Sequence, residues 1–506
     1  MEQTGPESVA VPTVDAEADA LLQARMAKLE HVRQLGIDPF PAHYKRTHST
    51  AEAMAHFEEQ PADEPAELAV GGRIVSRRVM GKASFCHIQD GSGRLQLYLK
   101  TDLVGPDAYA LFRDEIDVGD HVGASGTLFR TRTGEVTLEV HSLVLLSKSL
   151  RPLPEKWHGL QDVEKRYRQR YLDLIASEES RQVFQVRARA VSAIRRFLDD
   201  RGFTEVETPC LQALYGGAAA RPFTTFYNAL DSEVYLRIAT ELYLKRLIVG
   251  GMDKVYEIGR VFRNEGLDIH HNPEFTLLET YEAYADYRDV MAMVEELVPY
   301  VAQEAVGTTV ITYAGHEIRF DPPWQRVSLR DAIAEHSGVD FAAYPDQESL
   351  YARVRDLDLP ITPTSPRPKI IDELLSRFVE PKLVQPTFLI DYPVELSPLA
   401  KRKPDDPRYV ERFEAFAGCF ELGNAFSELN DPIDQRARFA DQLKNREAGD
   451  EEAHQMDEDY ILALEHGMPP TGGLGIGIDR LVMFLTDKHS IRDVVLFPQM
   501  RTRGQA

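Results

Sequence analysis

The chain has 506 residues with 81 acidic and 58 basic side chains, a formal net charge of −23, and 43% hydrophobic and 27% charged residues. This ordinary globular mixture suits about three folding units and excludes a collagenous, coiled-coil or wholly disordered chain. No run of 18 apolar residues occurs, which argues against a membrane span, and the acidic surplus argues against sequence-blind nucleic-acid binding.

Residues 1–20, with Gly5, Pro6 and Pro12, read as a frayed tail. Its acids precede the first basic residue, Arg25, so no basic targeting segment is expected and the protein reads as cytoplasmic. Cys86, Cys210 and Cys419 lie far apart, with no CxxC pair, and point to neither a disulfide framework nor a zinc site. Leu22, Met26, Leu29 and Val32 have helical spacing, and Pro- and Glu-rich residues 58–67 form a linker, making 21–66 a helical extension.

Between residues 67 and 150 come five strand-like runs, 68–79, 84–89, 94–100, 121–130 and 135–146, with a helix around 107–116. Three strands, a helix and two strands is the order of a five-stranded OB barrel. Alternation places Cys86 and Ile88 on one face, and Phe85, His87 and Gln89 on the other. An aromatic on a polar face, near Gln96 and the cluster Arg73, Arg77, Arg78 and Lys82, points to a stacking platform for an unpaired base.

Residues 151–180 form a connector, and 181–506 a larger domain. It opens with an amphipathic helix, 186–201, whose Val191, Ile194, Phe197 and Leu198 form an apolar stripe, followed by Gly202 and a strand running into Thr208-Pro209. Residues 447–459 hold seven acids and no Lys or Arg, a solvated insertion.

The chain has no GxxxxGK[ST] loop and no GxSxG elbow. Four glycines between 472 and 477 lead to Asp479-Arg480; no strong strand precedes them, and a glycine-lined backbone ending in Arg suits close approach to a nucleotide. Residues 255–265 and 274–283 read as two strands joined by a loop. Arg263 and Glu265 share a face of the first; Phe275, Leu277, Glu279 and Tyr281 share one of the second. Such a wall fits either a phosphate and purine site or a surface ion pair. In 413–423, a two-residue turn at Ala417-Gly418 would set Glu414 directly opposite Glu421, an arrangement a divalent cation such as Mg²⁺ relieves.

These segments together resemble motifs 1, 2 and 3 of the class II aminoacyl-tRNA synthetases: the helix and strand ending at Pro209, Phe262-Arg-Asn-Glu265 with Phe275, and Gly475-x-Gly-x-Asp-Arg480. Arg166-Tyr-Arg-Gln-Arg-Tyr-Leu-Asp173, Gly216-Gly-Ala, Glu241-Leu-Tyr-Leu-Lys-Arg246, His271-Asn-Pro-Glu-Phe275 and Asn424-Ala-Phe-Ser-Glu-Leu-Asn-Asp431 resemble the bacterial-type lysyl-tRNA synthetases with an N-terminal OB anticodon-binding domain. Thr240, where many relatives have proline, and Cys419-Phe420 depart from the pattern.

The resemblance implies an α+β chain, with the barrel at 67–150 and a catalytic domain of antiparallel sheet and flanking helices at 181–506. It implies activation of L-lysine with ATP and transfer to the 3′ end of tRNA(Lys) by a homodimer without membrane attachment. Arg263 and Arg480 are then catalytic, and Glu265, His271, Asn272, Phe275, Glu414 and Glu421 complete the ATP site. Gly216, Glu241, Arg263, Glu279, Tyr281, Asn424 and Glu428 bind lysine. Glu414 and Glu421 carry Mg²⁺, and Arg77, Phe85, Gln96 and Glu135 read the anticodon. The alternatives are a paralogue transferring lysine to another acceptor and an inactive tRNA-binding relative.

Overall fold

Alternating apolar residues build the first part of the chain. The computed structural model describes residues 16–59, 67–153, 160, 162–447 and 455–501, and the chain divides into two units, residues 1–160 and 161–506. In the first, α1 (Ala16–Gln34) and α2 (Thr50–Glu59) precede β1 (Glu67–Met80), β2 (Ala83–Gln89), β3 (Arg94–Lys100), β4 (His121–Arg130) and β5 (Val136–Ser147). The strands close as a barrel in the order β1-β2-β3-β5-β4, with β3 and β5 parallel, so no edge is left open. Val70, Ile74, Ile88, Leu97, Val122 and Leu138 fill it, all fully buried.

The helix α1 begins at Ala16, inside the segment expected as a tail to residue 20; residues 1–15, and 60–66 of the expected linker, lie outside the described residues. Lys28 Nζ donates to Asp117 at 2.6 Å and Arg25 to Ser149 O at 2.9 Å, tying this helix to the barrel.

The second unit is built on an eight-stranded sheet. Its elements in chain order are α3 (Glu178–Asp199), β6 (Thr204–Glu205), β7 (Leu211–Gln212), β8 (Thr224–Tyr227), β9 (Ser232–Leu236), α4 (Glu241–Val249), β10 (Lys254–Phe262), β11 (Glu274–Ala283) and α5 (Tyr287–Val306). After these come β12 (Val310–Tyr313), β13 (His316–Arg319), β14 (Gln325–Ser328), β15 (Thr387–Pro393), β16 (Tyr409–Ala417), β17 (Phe420–Ser427), α6 (Glu458–Glu465), β18 (Thr471–Gly477) and α7 (Ile478–Leu485). The order across the sheet is β14-β15-β16-β17-β18-β11-β10-β6; only the two end pairs are parallel.

A Ser177 cap starts α3 eight residues before the apolar pattern does. Ile194, Phe197 and Leu198 are buried in the same core as Val294, Val298 and Leu474. The stripe faces this chain's own core and is not free to meet a second copy. Residues 448–454 of the acidic insertion lie outside the described residues; Asp457, at its end, caps α6 by accepting from Tyr460 N–H at 2.8 Å.

No strand runs directly up to the glycine-rich segment, which is itself a strand, β18, between β17 and β11. Glycine weakens the strand signal in a sequence, but at Gly472 and Gly473 nothing larger fits. A Cβ on Gly472 would stand 2.7 Å from Val290 Cγ2.

Candidate active site

The cleft on this sheet, about 400 Å³, is floored by β11, β17 and β18. Arg263, Glu265, His271, Asn272 and Phe275 line one end of it. The strand β10 stops at Phe262, and Glu265 N–H donates to Arg263 O at 2.9 Å, turning the chain. Arg263 and Glu265 therefore project from a turn rather than sharing a strand face, as the sequence pattern had implied. The Arg263 guanidinium lies 5.1 Å from the Phe275 ring centre. Burial lowers its pKa, while Glu265, Glu421 and Glu279 oppose that and favour its charge.

The Asn272 amide nitrogen donates to Glu274 O at 2.6 Å, leaving its buried Oδ1 without a partner and free to accept. His271 is exposed, with Nδ1 2.8 Å from Asp268 Oδ2. Arg480 stands in the first turn of α7, donating to Glu421 Oε2 at 3.1 Å. Its neighbour Asp479 accepts from Arg187 at 2.7 Å and from Thr276 N–H at 2.7 Å, pinning the helix start to β11.

The hairpin β16–β17 turns at Gly418-Cys419, both with positive φ, not at Ala417-Gly418. Glu421 stands opposite Phe416, and beyond a bulge at Leu422 Glu414 pairs with Asn424. The two acids are thus not directly opposed, because the turn falls one residue later than expected and moves Glu421 two places along β16. Both still line the cleft. Glu414 accepts from Tyr392 OH at 2.7 Å and pairs with Arg412. Its pKa is pushed up to about 7 by burial, which Arg412 opposes and Glu421 reinforces.

At the far end three carboxylates converge. Glu241 begins α4, Glu279 lies on β11 and Glu428 follows β17; they are 5%, 5% and 1% exposed. Glu279 accepts from Thr240 N–H and Tyr281 OH, each at 3.2 Å. Burial, reinforced by Glu241, raises its pKa to about 7. Burial pushes Glu428 to about 8, against the opposing charge of Lys245. Asn424 Oδ1 accepts from Arg412 Nε at 3.1 Å. Gly217 lines the cleft, while Gly216 packs beside it, where a Cβ would come 2.7 Å from Leu242.

Two charged members of the cluster were missed in the sequence. Lys245 is fully buried, 2.5 Å from Glu241 Oε1 and ion-paired with Glu428; its spacing of four residues from Glu241 was the available signal. Arg412 shares a strand face with Glu414 by parity, a signal equally present.

The barrel presents a separate surface. Phe85 and Tyr98 pack with ring centres 4.8 Å apart, and Phe129 adds an edge at 6.0 Å from Tyr98. Gln96 donates to Glu135 Oε2 at 2.7 Å, and His87 Nε2 lies 2.8 Å from Glu135 Oε1. Arg77 does not join them. It pairs across the strands with Cys86, whose side chain is in the core, and covers the Phe112 ring at 4.9 Å. A bulge between Ile74 and Ser76 inverts the parity, so that Arg78 pairs with Phe85 instead.

Comparison with known proteins bears on both surfaces. A family model described as tRNA synthetases class II (D, K and N) matches residues 162–501, and one described as an OB-fold nucleic acid binding domain matches residues 68–146. The chain is 57% identical over 492 residues to a lysine--tRNA ligase of Moorella thermoacetica, covering 97% of this chain and all of that one. It is 55% identical to those of Pelotomaculum thermopropionicum and Chloroflexus aurantiacus, covering 97% and 96% of this chain and 96% and 99% of theirs. Among the described residues no helix is long and apolar enough to cross a membrane.

Proposed function

The chain belongs to the class II tRNA synthetases (D, K and N), and its activity is that of a lysine–tRNA ligase; from that premise we propose how its own residues divide the work. One observation supports the division: a cleft with two arginines and an aromatic at one end and three buried carboxylates at the other. An aspartate or asparagine substrate would meet three carboxylates at that second end, with Lys245 already paired to two of them. Lysine brings the ammonium that those acids require.

In the first step the lysine carboxylate attacks the α-phosphorus of ATP; the bond to the bridging oxygen of pyrophosphate breaks, and lysyl-adenylate forms. No base is needed, because the attacking carboxylate is already an anion. Arg263 contacts the α-phosphate and the carboxylate, and its charge offsets the negative charge building on the phosphorus. Phe275 stacks on the adenine, Asn272, His271 and Glu265 hold the nucleotide, and Arg480 takes the terminal phosphate. Glu241, Glu279 and Glu428, with Tyr281 and Asn424, fix the ammonium groups, and Gly217, held in place by the close packing of Gly216 on Leu242, leaves room for the lysine backbone. Alignment of the two reactants supplies much of the rate. In the second step a hydroxyl at the tRNA 3′ end attacks the lysyl carbonyl and AMP leaves.

The donor set fits Mg²⁺. Glu414 and Glu421 are carboxylates on one cleft wall, the first with its pKa raised by burial and by the second, and Mg²⁺ takes one or two carboxylates together with phosphate oxygens. Bound there, it would neutralise charge on the phosphates. On the barrel, Phe85, Gln96 and Glu135 read the anticodon of tRNA(Lys), with Arg78 in the place first given to Arg77. A homodimer in the cytoplasm completes the reading. The exposed Leu211, Phe226, Tyr227 and Leu230 offer it the apolar surface that α3 does not.

Pyrophosphate exchange with lysine, aspartate and asparagine tests the reading. Exchange with lysine alone is expected, together with a raised lysine KM in Glu428→Gln at unchanged ATP KM. Exchange with aspartate, or an unchanged lysine KM, overturns the assignment of the acidic end.

A further inference from the structure

Lys245 sits at the centre of the acidic end, and the reaction above gives it no part. The start of α4 places it one turn after Glu241, so both side chains fall on one helix face. Its side chain is fully buried, with Nζ paired to Glu241 and Glu428 and 5.9 Å from the Tyr281 ring centre. Both oxygens of Glu428 lack any hydrogen-bond partner outside that ion pair. An ammonium this deep is tolerated only with close carboxylates, and carboxylates this deep only with close cations.

We propose that Lys245 is a positioning residue that sets the pocket's selectivity: it holds the Glu241 and Glu428 carboxylates in place and cancels one of the three negative charges around it. Two negative charges then face the substrate, the number that lysine's α- and ε-ammonium groups neutralise. A side chain without a terminal ammonium leaves one carboxylate buried and unpaired. The proposal deepens the lysine-pocket assignment above and rests on it.

The groups facing this cluster come from five places: Glu241 on α4, Glu279 and Tyr281 on β11, Glu428 after β17, Tyr460 on α6 and Arg412 on β16. Burial raises the pKa of all three carboxyls; for Glu241 and Glu428 Lys245 is the chief opposing charge. Removing it lets them keep a proton to higher pH, and a protonated carboxyl does not attract an ammonium.

The test uses the full chain in pyrophosphate exchange across pH, comparing Lys245→Met, Lys245→Arg and Glu428→Gln. Lys245→Met is expected to raise lysine KM about tenfold or more, with kcat and ATP KM within about threefold of wild type, the loss being confined to one substrate's charge pairing. The acid limb of kcat/KM for lysine should move up by about one pH unit or more. Lys245→Arg should return that limb to the wild-type pH.

A melting temperature near wild type with unchanged lysine KM and an unmoved limb overturns the proposal. So does a lowered lysine KM, which would make Lys245 a plug. Glu428→Gln raising lysine KM while Lys245→Met is silent refutes this inference alone; silence in both refutes the pocket assignment with it. Should Lys245→Met not fold, Lys245→Met/Glu241→Gln removes one charge of each sign. Its limb is expected at the wild-type pH, and a displaced limb overturns the proposal.

Discussion

Gly473 leaves Glu428 the space it occupies: a Cβ on Gly473 would stand 1.9 Å from Glu428 Oε1 and 2.6 Å from Tyr281 Cε1. Both neighbours belong to the acidic end of the cleft, and neither can retreat into open space, being 1% and 4% exposed. Gly473→Ala is therefore expected to cost about 1–3 kcal/mol of stability, as overpacking does. It should raise lysine KM far more than ATP KM. Pyrophosphate exchange with each substrate varied in turn checks this; an equal rise in both constants would mean a general distortion of the sheet.

Lysine binding should release protons at neutral pH. Burial lifts Glu279 to about 7 and Glu428 to about 8, and an incoming ammonium favours their ionised forms. Calorimetry at pH 7 in buffers of different ionisation enthalpy should show the release. The sign for stability follows from the same shifts. Between the ordinary carboxylate range and about 8, the folded state holds more protons than the unfolded one, so these groups make ligand-free stability fall as pH rises through that window. Glu279→Gln should flatten the fall in melting temperature between pH 6 and pH 8, and an undiminished slope would place its cause elsewhere.

Glu421 is more exposed than Glu414 and pairs with Arg480, so its removal relieves repulsion while releasing an arginine. Glu421→Gln should leave the ligand-free melting temperature close to wild type. Adenylate formation should fall about a hundredfold or more, the scale of losing one transition-state charge contact, and excess Mg²⁺ should restore part of it. Melting curves paired with a Mg²⁺ titration of exchange decide the matter: lost stability with retained activity would exclude the metal role.

On the barrel, Phe85→Ala should weaken tRNA charging by about 1–3 kcal/mol, the worth of one stacked base, with pyrophosphate exchange unchanged. Arg78→Ala should weaken charging and lower its salt dependence. Arg77→Ala, which uncovers Phe112, should instead lower the barrel's melting temperature with little change in the salt slope. Interchanged results for the two arginines would contradict the register between β1 and β2.

Periodicity made the barrel legible. Strands with strict alternation, such as Ala83–Gln89 and Arg94–Lys100, bury every second residue as the pattern implies. What stayed hidden is where the period breaks. The bulge between Ile74 and Ser76 moved Arg77 off the Phe85 face, and a turn one residue later than expected moved Glu421 away from Glu414. A bulge inserts one residue with no mark in composition, so every parity argument downstream of it inverts. Within the cleft, the acids were legible because buried like charges are costly without a ligand. Lys245 passed as half of an ordinary helical pair until its burial was seen.

Strand β18 also constrains how this cleft can change over evolutionary time. Four of its seven residues are glycine, and it runs beneath the site between β17 and β11. A strand with few side chains offers few letters to rewrite: substitutions at Gly472 and Gly473 meet neighbours at once. Novelty in substrate choice must then come from the flanking α4, β11 and β17, whose side chains differ freely in charge and length. Relatives that accept another amino acid are expected to share the bare strand and to diverge at the positions of Glu241, Glu279, Asn424 and Glu428. A fixed floor with editable walls lets one backbone serve several amino acids without relearning how to hold ATP.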